Sequence, residues 1–398
     1  MATLDDDLPQ ENVKSVFASL RVNDYKYLSI GFLGSAFALN MQLIAQGWMV
    51  YEMTSSAMKL TWVTLSFMIP QVVFSLLGGV LADRFAKKPI IGWAPFINGL
   101  ATLVMALIIF SGKADFSAFL VIGFLNGTVL ALSMPARTAF IPELVGEELI
   151  FNAMAFNSAC WNLARIVGPA AAGFIIAIFA EGNTTSGFGV GLVYVILSLL
   201  YFVSALSVLY ISHPGRPVQI QKKSALKDTQ EALRYVVNSP IVGGLILLSI
   251  LPFLFGLSIN TLLPAFSTDV LKGGPDDLGL LMTGMGFGAI IGSLALAKMS
   301  SVTKKGFWII GTGALWGGLV AIFSITNDYL ISTIVIGCIG FVSAINMSMN
   351  RSVMQLQVAQ SMRGRIMSVD MMSHGLMPLG ILPIGYIAET ISVQAGLF

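Results

Sequence analysis

Charge is scarce in this chain. Only 11% of its 398 residues are Asp, Glu, Lys or Arg, where an ordinary soluble domain carries about 25%. A soluble protein of this length would need two or three polar surfaces that these residues cannot supply. Cysteine and histidine are rarer still, two of each. Cys160 and Cys338 both lie in apolar runs and read as small buried hydrophobes, not as a disulfide or metal framework. No GxxxxGK[ST], HExxH or Cys/His metal spacing occurs, so ATP hydrolysis, a metal and a cofactor are not expected. Nothing resembles a nucleophile elbow, and His213 and His374 lack an evident catalytic partner, which leaves an intramembrane enzyme or a non-transporting sensor as the weaker alternatives. The start, MATLDDDLPQENVK, is acidic and lacks the basic opening and cleavage site of a signal peptide, so the first helix is expected to remain as a span.

What is present is apolar: 56% of the residues are hydrophobic. A helix crosses a bilayer core in about 20 residues. Uncharged runs of that size occur at 27–51, 60–82, 89–112, 116–136, 182–212, 241–268, 278–297, 306–327 and 329–350. The stretch 149–180 is interrupted only by Arg165, and 366–388 only by Asp370, which makes eleven expected spans in an all-α integral membrane fold. The alternation of a membrane barrel is absent. With the N-terminus in the cytoplasm, 18 of the 22 Lys and Arg fall in cytoplasmic segments, three on the other side and one, Arg165, inside a span. That asymmetry predicts the orientation. It counts Arg137 among the cytoplasmic cations, in a connection after span four.

The longest polar connection, 213–240, divides the chain into an N-terminal half, 1–212, and a C-terminal half, 241–398, and its Lys222–Tyr235 stretch could form a surface helix. The halves repeat weakly. Gly78 and Gly292, Arg137 and Arg351, and Pro169 and Pro383 are each 214 residues apart in equivalent spans. This reads as a duplicated six-helix unit, common in transporters. The offset places a partner for span six beyond Phe398, so the C-terminal half is expected to hold five of six helices.

The knot GGVLADRFAKKP, Gly78 to Pro89, matches the pattern G-x-L-A-D-R-x-G-R-K between spans two and three, with Ala86 in place of the second glycine. Together with two six-helix halves it resembles the major facilitator superfamily. YEMTSSAMKLTWV, MPARTAFIPELV and NLARIVGPAAAG resemble its drug and siderophore exporter branch, which includes macrolide-type and enterobactin-type exporters. The resemblance implies a proton-coupled exporter of amphipathic small molecules in a bacterial inner membrane, working by alternating access as a monomer, with no nucleic-acid partner. An uptake transporter or a mover of lysophospholipids on the same fold remains the alternative.

Within that resemblance the knot has two readings. It is a topology anchor, or a conformational latch in which Asp83 faces the N-terminal end of span eleven while Gly79, Arg84, Lys87 and Lys88 shape the turn. Arg165 is costly at bilayer depth unless it faces protein or water. Helical spacing sets Ser158, Asn162 and Arg165 on one face, a candidate cavity wall or a packing contact. Gly168, Pro169 and Gly173 follow as a candidate helix bend and close-approach motif. Asp370 and His374, four apart, form a candidate proton pair or part of a gate. Asn40, Gln46, Asn126, Asn260 and Asn346 fall in spans one, four, seven and ten, which line the cavity in the resembling fold; each is also a candidate for simple helix-to-helix bonding.

Overall fold

The computed structural model describes residues 17–398 apart from 181–186, 216–224, 257–258, 299–303, 359–361, 363–365, 367–368 and 371–375. All regular structure in those residues is helical. The first half holds α1 (Asn23–Thr54), α2 (Ala57–Arg84), α3 (Lys87–Phe110), α4 (Phe116–Ala180) and α5 (Gly187–Leu209). α6 (Ala225–Asn238) lies in the long connection. The second half holds α7 (Pro240–Leu251), α8 (Ile259–Asp269), α9 (Pro275–Lys298), α10 (Lys305–Ser324), α11 (Tyr329–Gln357), α12 (Met377–Thr390) and the short α13 (Val393–Leu397).

Local chemistry sets the helix starts. The Ser56 hydroxyl accepts from Lys59 N at 3.2 Å to open α2. Asp115 accepts from Ala118 N at 2.9 Å to open α4, and Asp328 accepts from Ile331 N at 2.9 Å to open α11. These caps satisfy amides that have no partner inside their own helix. Asp115 is exposed, and the backbone amide of Ala118 holds its carboxyl below the usual range. Large side chains such as Leu107, Val121, Ile178 and Leu209 are exposed on helix faces. In water such surface would be a liability; in lipid it is the expected exterior. Ten helical segments of the described residues are long and apolar enough to cross a membrane, and the final apolar run is described as α12.

The two halves pack alike. An added Cβ at Gly78 on α2 would overlap the Ala131 carbonyl on α4, and one at Gly292 on α9 would overlap the Phe341 carbonyl on α11. Two glycines 214 residues apart therefore bring equivalent helix pairs into backbone contact.

Two expectations need correction. The fourth helix does not stop at residue 136. It runs on through Arg137 to Gly146, whose φ of 70° and ψ of 170° are the non-helical break within α4. Arg137 therefore lies within the helix, its guanidinium 5.6 Å from the Phe32 ring centroid. The seventh span is interrupted: α7 gives way at Pro252–Gly256 to a π-helical turn before α8. Proline removes an amide, and Gly256 lies so close to the Trp316 indole that a side chain there would collide. The backbone of α4 keeps helical angles through Pro169, and Gly146 is its non-helical residue. The surface helix of the connection is described over Ala225–Asn238, and the first residues of the expected stretch, 222–224, lie outside the described residues.

A candidate transport pathway between the halves

The chain has a near face, which holds the turn between α2 and α3, and a far face at the opposite helix ends. On the far face the halves are tied together. The Tyr51 hydroxyl on α1 donates to Asp269 on α8. Glu389 on α12 accepts from the Ser56 hydroxyl at 3.0 Å and from Met58 N at 3.2 Å, both at the start of α2. Four residues before Glu389, Gly385 leaves no room for a Cβ against Thr61. Gly173 on α4 meets Pro275 and Gly279 on α9 with the same backbone closeness. A cavity of about 230 Å³ sits in this region, lined by Trp48, Glu52, Thr268, Lys272 and Gly273.

The cross-half hydrogen bonds between described residues run down to Thr283 Oγ1, which donates to the Ile166 carbonyl at 3.3 Å. Ser158, Asn162, Pro169 and Gly173 follow one stripe of α4 by helical spacing. Pro169 and Gly173 meet α9, whereas Ser158 and Asn162, nearer the near face, are exposed. Arg165 is half-buried on the same stripe and has no hydrogen-bond or ion-pair partner among the described residues. Gly168 belongs to a neighbouring face and packs against Asn40 and Met41 of α1. The segment Gly168–Gly173 is thus a packing element that faces two helices at once.

The polar residues of the interior form two groups. In the first half Asn126 donates to Gln42 at 3.1 Å, and Gln42 donates to Gln46 at 3.1 Å. Asn40 donates to the Ala36 carbonyl of its own helix at 2.8 Å. In the second half Asn346 donates to the Ile309 carbonyl and to Thr312 at 2.8 and 2.9 Å. Asn260 follows the break between α7 and α8. Its Oδ1 and that of Asn126 are buried without a hydrogen-bond partner among the described residues, a condition that costs about 1–3 kcal/mol for each unmet group. Asp370 is buried; it accepts from Ser249 at 2.6 Å and lies 3.7 Å from Arg351. His374 lies outside the described residues.

The charged knot divides in two. Lys87 is buried and pairs with Glu143 of α4 at 2.7 Å. Lys88 donates to the carbonyls of Ile211 and Leu209 at 2.5 and 3.3 Å, and Lys87 N donates to the Gly215 carbonyl at 2.9 Å. These residues sew the turn to its own half. Asp83 and Arg84 are exposed, and an added Cβ at Gly79 would meet open space, so the close-packing glycine of this motif is Gly78. Sequence reasoning passed over Tyr51, Asp269, Ser56, Glu389, Glu143 and Gln42. Glu389 had a signal: it is the only charged residue after Asp370.

Two bundles of long apolar helices, tied together at the far face by hydrogen bonds between described residues and holding a polar interior, define a multi-pass membrane transporter of the major facilitator type. The chain belongs to the transmembrane secretion effector family, whose sequence model matches residues 14–398. It is similar to the enterobactin exporter EntS of Citrobacter koseri, 25% identical over 343 residues that cover 85% of this chain and 76% of that protein. The EntS protein of Escherichia coli O1:K1 / APEC is 25% identical over 345 residues, with the same coverage. Among solved structures, the nucleoside transporter NupG has a TM-score of 0.71 at 14% identity, covering 94% of this chain and 94% of that one. A bacterial homologue of the human lysosomal transporter Spinster, in an inward-facing and unoccupied conformation, has a TM-score of 0.70 at 16% identity, covering 96% and 83%. These structures establish the fold; the chain is a transporter and not an enzyme.

Proposed function

We propose that this protein exports an amphipathic small molecule, a drug-like compound or a siderophore, across a bacterial inner membrane in exchange for protons. The near face is cytoplasmic, and substrate enters from it between the halves. The observation that carries the reading is the stripe of α4, closed against α9 at Pro169 and Gly173 and exposed at Ser158 and Asn162. One helix face thus passes from a sealed seam to an open one, as an alternating-access carrier requires on its loading side. Arg165 at the boundary supplies a positive charge, and the unmet Oδ1 atoms of Asn126 and Asn260 supply acceptors from the two halves. Asp370 and His374 are the proposed proton-carrying pair. The similarity to EntS proteins supports the export direction and the siderophore class, and the bias of Lys and Arg to the near face supports the orientation.

The test is transport into everted membrane vesicles from cells that express the protein, with a panel of fluorescent amphipathic dyes and catecholate compounds. Export predicts accumulation in the vesicles that collapses when a protonophore is added. Accumulation that survives the protonophore contradicts proton coupling, and loss of preloaded compound from everted vesicles contradicts the direction.

A further inference from the structure

α2 and α12 run antiparallel against each other across the seam, with Gly385 against Thr61. Each ends on the same design. Asp83 is the penultimate residue of α2, and Glu389 is the penultimate residue of α12. A carboxylate at that position sits at the negative end of its own helix dipole, where it is unfavourable. Such a charge is better placed at the start of another helix. Glu389 has that partner: it accepts from Met58 N in the first turn of α2 and from the hydroxyl of Ser56, the residue that caps α2. The Ser56 oxygen in turn accepts from Lys59 N. The nearest lysine on this turn, Lys59, lies over the Phe116 ring at 5.6 Å. Among the described residues the partner of Glu389 is therefore the start of α2 and not a basic side chain. At the other end of the pair Asp83 is exposed.

We propose that Glu389 is a far-face latch, a gating residue whose carboxylate holds the start of α2 while the near face is open and releases it when the near face closes. The two ends of the α2–α12 pair then work in alternation. Each carboxylate contributes in only one of the two conformations, and a term present in one state alone shifts the balance by its full amount. The proposal rests on the alternating-access reading above but concerns a contact that reading does not use.

The experiment measures distances by pulsed electron resonance on the full chain in lipid nanodiscs, with Cys160 and Cys338 replaced by Ser. One label pair, at Lys113 and Ile325, reports the far face; another, at Glu147 and Leu356, reports the near face. Glu389→Gln should lengthen the far-face distance and shorten the near-face one, with a population shift of roughly fivefold, the range of a charge at a helix start. Glu389→Asp, which keeps the charge, should stay near the parent distribution. Asp83→Asn should move both pairs the opposite way. Ser56→Ala removes one donor and should shift the pairs in the Glu389→Gln direction by less, which keeps the test intact if Glu389→Gln fails to fold. Unchanged distances in Glu389→Gln, or in Ser56→Ala should the former misfold, overturn the latch, as does a shift in the same direction as Asp83→Asn. Shifted distances in the variants, with no transport of any compound by the parent protein, leave the latch standing and overturn export; transport by the parent with unshifted distances in the variants does the reverse.

Discussion

Lys87 is buried, and its ammonium pairs with Glu143, which lies just before the Gly146 break inside α4. Nothing in the spacing of 87 and 143 announces that contact, because it depends on α4 running on past residue 136. Removing one partner of a buried pair leaves the other charge poorly solvated, at about 3–5 kcal/mol when both are fully buried; Glu143 is partly exposed, so roughly 2–3 kcal/mol applies here. Lys87→Ala should therefore lower the thermal midpoint of the purified protein, and adding Glu143→Gln should restore part of it. An additive double variant would mean that the pair contributes nothing. Arg165 is the reverse case. Its cost at bilayer depth was readable from the sequence, and the structure gives it no partner among the described residues that would make it a packing cation. Arg165→Ala should leave the thermal midpoint within a few degrees of the parent while lowering transport at least tenfold. A large loss of stability with proportionate loss of transport would assign it to packing instead.

The helices themselves were largely readable, since long apolar runs between charged turns have one meaning in a bilayer. Their interruptions were not. Gly146 breaks α4 inside a segment, MPARTAFIPELVGEE, that mixes prolines, charges and apolar residues, and composition does not say which of them ends the helix. The π-helical turn at Pro252–Gly256 interrupts what reads as one continuous run, and its position is set partly by Trp316 on α10, a contact between distant residues. The same holds for the seam. Gly385 looks like any glycine of a membrane helix, yet it lets α12 approach α2 closely enough for Glu389 to reach Ser56. Gly385→Leu should force these helices apart at the far face, because the added side chain collides with Thr61. The labels at Lys113 and Ile325 should then report a longer mean distance, and transport should fall at least tenfold. An unchanged distance would show that the α2–α12 approach does not close the far face.

At the scale of the whole molecule, the duplicated halves and the superfamily resemblance were available from the knot at Gly78–Pro89 and the 214-residue offset. The state of the molecule was not, because which end of the seam is shut depends on contacts such as Tyr51 with Asp269 and Thr283 with Ile166, whose partners lie 218 and 117 residues apart. Those contacts leave the far face joined and the near end of the α4 stripe exposed, and the central claim is that this stripe lines the path of the transported molecule. The most direct measurement is the reaction of an Asn162→Cys variant, in a background without the native cysteines, with a membrane-impermeant thiol reagent. Labelling from the near face in everted vesicles, slowed by a transported compound and lost when the near face is closed, is the predicted result. An Asn162→Cys thiol that reacts from neither face, or reacts at a rate no transported compound changes, would contradict the account.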